Sequence, residues 1–139
     1  MNDDQEIEMV FVDSEGRQRI CMLTVSDHEP WTITIKSQEF NEKKFNGRDL
    51  FDCLISARLF LEKNNYLLLC GGARIDVYPS GMSRDMSGGR LAYVTKIGVG
   101  ASREDIVDIF EPANQTNIGT VEQQKEFHAR WVSSIKDVE

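Results

Sequence analysis

Residues 19–36 read RICMLTVSDHEPWTITIK, and this stretch decides the fold. Its second half alternates cleanly, with Trp31, Ile33 and Ile35 on one side and Thr32, Thr34 and Lys36 on the other. A period of two sends successive side chains to opposite faces of a pleated strand, so one face is buried and one is wet. The first half is apolar on both sides: Ile20, Met22 and Thr24 share one face, Cys21, Leu23 and Val25 the other. That predicts a central strand. Asp27-His28-Glu29-Pro30 between the halves is a turn, too short for a crossover, so the two strands run antiparallel. Upstream, Ile7, Met9 and Phe11 alternate with Glu8 and Val10, and Asp13-Ser14-Glu15-Gly16 turns the chain. Three strands in a meander open the domain.

Downstream the period changes. From Arg48, the residues Leu50, Cys53, Leu54, Ala57 and Leu61 recur at helical spacing, joined by Phe51, Ile55 and Phe60. The helix runs to Lys63 and stops at Asn64-Asn65, and its apolar face packs on the sheet. Residues 66–70 and 90–97 read as two later strands. Ser102 as an N-cap, with Glu104 and Asp105 in the favoured acidic first turn, predicts a second helix through Phe110, closed by Pro112. Thr120-Val121-Glu122-Gln123 is a capping box opening a last helix, whose buried stripe is Phe127, Trp131, Ile135 and Val138. The expectation is an α+β fold over residues 1–139 as one domain: a meander extended by two later strands, with three helices packed on the sheet.

Between the later strands, residues 71–90 read as a twenty-residue loop with five glycines, three arginines and a Pro-Ser-Gly turn. A loop of that length inside a compact domain is usually functional or disordered.

Composition narrows the function classes. The chain of 139 residues is 40% hydrophobic and 28% charged, ordinary for a soluble protein. The longest apolar run, residues 66–70, is too short to span a bilayer. The opening MNDDQEIEM is acidic and lacks the pattern of a secretory signal, so a cytoplasmic location is expected. Cys21, Cys53 and Cys70 fit neither a disulfide framework nor metal spacing and read as buried free thiols. The net charge of −7 is uneven: residues 1–15 carry six acids and no base, and residues 98–122 are acid-rich again. This balance argues against a duplex nucleic-acid binder, which needs a basic face, and is compatible with a basic macromolecular partner, set against surplus acid that merely keeps the chain soluble.

Chemistry is mostly absent from the pattern. His28 and His128 have no metal-ligand spacing to each other or to cysteine. Cys70 with His128 as its base is a conceivable nucleophile pair, set against the default of a thiol at a strand end. Gly98-Val99-Gly100-Ala101-Ser102 lacks the third glycine of a dinucleotide fingerprint and the lysine of a P-loop. Arg74, Arg84 and Arg90 near Gly88-Gly89 form a conceivable anion or small-ligand module, set against internal pairing with Asp76, with Asp85 or with the acids of residues 104–111. Tyr78, Met82, Met86 and Tyr93 interleave with those arginines, and Tyr, Met and Arg are enriched at protein interfaces; set against this, the apolar groups can tie the loop down over the core, with Met82 buried and Arg84 displayed.

The run LLLCGGARIDVYPSGMSRDMSGGRLAYV and the following DIVDIFEPA, together residues 67–113, resemble small bacterial proteins associated with immunity to polymorphic toxins, including those of contact-dependent growth inhibition. The resemblance implies a small, acidic, single-domain cytosolic inhibitor without catalytic machinery that binds a cognate toxin domain, with a nuclease-type toxin the natural basic complement; beside it, no cofactor or metal is expected from the residues and a monomer is favoured. The residues expected at the partner surface are Tyr78, Met82, Arg84, Asp85, Arg90, Glu104, Asp105, Asp108 and Glu111.

Overall fold

A computed structural model describes residues 3–136. The chain is α+β. Strands β1 (Gln5–Val12), β2 (Gln18–Val25), β3 (Thr32–Ser37) and β4 (Lys43–Asn46) form an antiparallel meander, and β5 (Leu67–Leu68) adds to its far edge, giving the order β4-β3-β2-β1-β5. β2 is central, as its two apolar faces predict. β4 carries no strand signal, because KKFN has one apolar residue; it forms because β3 offers it an edge, with Phe45 set opposite Ile33.

Helix α1 (Leu50–Lys63) covers the inner face of this sheet. Asp49 caps it, its side chain accepting from the Asp52 N–H at 2.8 Å. The core interleaves Phe11, Leu23, Ile33 and Ile35 from the strands with Phe51, Leu54 and Leu61 from the helix, all fully buried. Each such side chain contributes about 1.5–3 kcal/mol relative to exposure.

The two later strands part company. β5 extends the meander, whereas β7 (Leu91–Val94) sits in a separate three-stranded sheet between β6 (Val77–Tyr78) and β8 (Ile106–Asp108). Two expectations are corrected here. Residues 71–90 are not an open loop: they contain a 3-10 turn at Gly71–Ala73, then β6, then helix α2 (Gly81–Ser87). Residues 102–110 are not a helix either. Ser102 does cap, accepting from Glu104 N–H, but only a single 3-10 turn, Arg103–Asp105, follows before β8 pairs with β7. Ile106 and Val107 are β-branched and suit a strand, and the chain then dives into the core at Ile109 and Phe110.

Helix α3 (Val121–Lys136) begins as its capping box predicts: Thr120 Oγ1 accepts from Gln123 N–H at 3.1 Å and Gln123 Oε1 from Thr120 N–H at 2.9 Å. Its fully buried contacts are Val121 and Gln124; Phe127, Trp131 and Ile135 are only half-buried, and Val138 lies outside the described residues. The polar Gln124 is buried for a reason. Its amide donates to the carbonyls of Gly72, Arg74 and Val77 at 2.8, 2.8 and 2.9 Å, and its oxygen accepts from Arg58 Nη1 at 2.6 Å. Arg58, on α1 and 2% exposed, also donates to the carbonyls of Gly72 and Gly119. A buried charge is tolerated only when hydrogen-bonded throughout. Replacing Gln124 by Leu leaves three carbonyls and one guanidinium short of a partner, so Gln124→Leu should lose about 3 kcal/mol or more, read as a lower urea midpoint. An unchanged midpoint would show that the network is not holding α3.

A candidate partner-binding face

The 71–90 segment is rigid because it is tied down at both ends. Gly71 and Gly72 donate to the carbonyls of Glu111 and Ile109, and Ile75 to that of Asn117. At Gly72 a Cβ would lie 2.5 Å from Leu54 Cδ2 and 2.8 Å from Ile109 Cβ, so only glycine permits the approach. At the far end α2 is held by its caps. Ser80 Oγ accepts from Ser83 N–H at 3.0 Å and Ser83 Oγ from Ser80 N–H at 2.9 Å. Gly88 closes the helix in the left-handed conformation, φ 63°, with the indole of Trp31 where a Cβ would point. Its carbonyl accepts from Leu50 N–H at 2.7 Å, joining the end of α2 to the start of α1.

One side of α2 faces inward. Arg84 Nη1 donates to Asp49 Oδ2 at 2.9 Å, and its guanidinium lies 5.3 Å over the Phe51 ring. Asp49 therefore caps α1 and anchors α2 with the same carboxylate. Between them a cleft of about 330 Å³ opens beside Trp31, Arg48 and Asp85. The other side of α2 faces solvent: Met82 is 71% exposed and Met86 81%, one turn apart, with Asp85 exposed beside them.

The other residues expected at a partner surface divide in two. Glu104 and Glu111 are exposed and Asp105 is half-buried. Tyr78, Arg90 and Asp108 are engaged inside the fold. Tyr78 stacks on His128 at 3.9 Å and meets Phe51 edge-on at 5.3 Å. Arg90 pairs with Asp108 at 3.2 Å, donates to Gln5 Oε1 at 2.7 Å and lies over Phe110. Arg74 is held in a two-point pair with Asp76, both contacts 2.9 Å. All three arginines of the conceivable anion module are thus occupied by carboxylates, and the partner of Arg84 is Asp49 rather than a neighbouring acid. Sequence reading passes over Asp49 and Trp31 because their roles depend on distant segments. Met86 stands with Met82 only once α2 is a helix. Pro79-Ser80, a cap signal, is the one local hint of it.

Cys70 is fully buried, and burial pushes its thiol up to about 11. Burial likewise pushes Cys21 and Cys53 up to about 12 each. Thiolate, the nucleophilic form, is therefore suppressed at neutral pH. Among the described residues no group of three or more His, Cys, Asp or Glu has metal-binding geometry, and no helix is long and apolar enough to cross a membrane. No protein-family model matches the chain, and no curated protein matches it.

Two measurements check these environments. In the folded protein a disulfide reagent at pH 8 should find all 3 thiols inert, and all should react once the chain is unfolded. The unfolded chain ionises its thiols near 9.0 and the folded one near 11 to 12, so the unfolded state sheds protons first and stability falls as pH rises through that window. Rapid native-state labelling would contradict this burial. His128 titrates the other way. Burial, with the charge of Arg84 second, lowers it below its ordinary 6.5, and among the described residues its buried Nδ1 finds no partner. A depressed histidine contributes stability above its unfolded value and loses it as pH falls. His128→Phe keeps the stack on Tyr78 and should flatten the stability profile between pH 6.5 and more acid conditions, measured by urea midpoints. A profile as steep as that of the unmodified protein would assign the acid loss to another group.

Proposed function

We propose that this protein is a non-catalytic inhibitor that neutralises a cognate bacterial toxin domain by binding it, acting in the cytoplasm. The observation that carries this reading is α2, where a rigidly capped turn of helix displays Met82 and Met86 to solvent with Asp85 beside them. Exposed methionines on a fixed scaffold cost little ordering entropy on binding and adapt to a partner's apolar surface. α2 and the 3-10 turn carrying Glu104 both contact β7, and Asp85 stands beside the methionines on α2 itself. With a net charge of −7, the whole molecule attracts a basic partner such as a nuclease domain, and complementary fields raise association rates. The likeness of residues 67–113 to toxin-immunity proteins points the same way, and α2 lies within it. The anion-module alternative is weaker, because its three arginines are already paired.

The test is affinity capture by the tagged chain from its source bacterium, run beside a Met82→Glu/Met86→Glu variant. The expected result is one stoichiometric partner with a basic domain that is toxic when expressed alone and silenced by this chain. The double variant should lose at least about 2 kcal/mol of binding, as buried interface anchors do. Reversal at Asp85 and Glu104 should slow association and flatten its salt dependence. A partner held equally well by all variants would move the interface off α2, and a captured protein without toxicity would end the inhibitor reading.

A further inference from the structure

The five-stranded sheet is covered on one face only. α1 packs on the inner face, while among the described residues no helix or strand covers the outer face of the central strand β2. An antiparallel sheet with a wet face normally turns polar side chains to it. Here Ile20 is 58% exposed and Met22 stands beside it half-buried, lining a groove of about 530 Å³. The second apolar face that makes β2 read as central thus remains open in a single copy.

Strand register orders the charge across this face. One cross-strand row runs Glu8, Met22, Lys36, and the next runs Glu6, Thr24, Thr34, Lys44. Each row is acidic on β1, neutral on β2 and basic on β3 or β4. None of these four charged residues enters an ion pair within the chain among the described residues.

We propose that this outer face is the interface of a symmetric homodimer, its occupant a second copy of the chain. A two-fold axis running along β2, between two facing sheets, exchanges their left and right edges. It sets Glu8 of each copy against Lys36 of the other and Glu6 against Thr34, one strand from Lys44, and it closes Ile20 and Met22 on the same pair of the second copy. A two-fold axis running across the strands instead opposes glutamate to glutamate and lysine to lysine. Charge therefore selects the first arrangement. Facing sheets pack about 10 Å apart with strands about 30° from parallel, a gap that these side chains span. This departs from the monomer favoured on sequence grounds. The face shares no residue with Met82, Asp85, Met86 or Glu104, so the dimer and the proposed inhibitor stand or fall separately.

Sedimentation equilibrium of the untagged full chain at about 0.1 mM tests it, a concentration at which even a weak specific association is populated. The expected mass is twice 15.9 kDa. Ile20→Lys, at an exposed position that tolerates it in the monomer, should halve that mass. Glu8→Lys alone and Lys36→Glu alone should each raise the dimer Kd at least about tenfold, and the two together should restore it, because that pair is then exchanged but still complementary. Far-UV circular dichroism confirms that each variant is folded. A 15.9 kDa species for the unmodified chain overturns the proposal. So does a dimer indifferent to Ile20→Lys, or a double swap no better than the singles.

Discussion

The fold depends on a buried guanidinium. Arg58 projects from α1 toward the 3-10 turn after β5 and the start of α3, with no carboxylate among the described residues hydrogen-bonded to it, and its charge is met by the carbonyls of Gly72 and Gly119 and by Gln124. Desolvation lowers its proton affinity, yet a guanidinium stays charged inside proteins, so every donor must find an acceptor. That requirement places three separate pieces of chain around one side chain: the 3-10 turn after β5, the loop before α3, and α3 itself. Gln124 then relays the constraint to the carbonyls of Arg74 and Val77, which positions β6.

From β6 the consequence reaches the surface. Once residues 71–78 are fixed, α2 is held between Ser80 and Gly88 and anchored by Arg84 to Asp49. Asp49 is also the cap of α1, so the helix that carries Arg58 and the helix that displays Met82 and Met86 share a carboxylate. The exposed face of α2 is therefore preorganised by the core rather than carried on a mobile loop. Preorganisation favours binding, since little freedom is left to lose when a partner arrives.

The charged residues of the 71–111 region show how composition misleads about sites. Arginines near glycines suggest an anion cradle, yet Arg74, Arg84 and Arg90 each close an internal pair, and Arg84 and Arg90 also cover aromatic rings. The side chains that α2 leaves facing solvent, Met82, Asp85 and Met86, are apolar and acidic. Partner recognition thus rests on a different subset of the segment from the one its arginines advertise.

Alternation in residues 19–36, the helical spacing from Leu50 to Leu61 and the Thr120–Gln123 capping box are local signals, and each forms the element it predicts, because period and cap act within one turn or one strand. Tertiary structure alone decided the rest. Lys43–Asn46 becomes a strand only because β3 has a free edge, and Ile106–Asp108 becomes one only because β7 offers a ladder that outcompetes a helix begun at Ser102. Arg84 meets Asp49 across 35 positions and Arg58 meets Gln124 across 66, separations at which no pattern in the chain can name a partner. Backbone pairing and the satisfaction of a buried charge are long-range demands, and they are met only when the whole chain is in place.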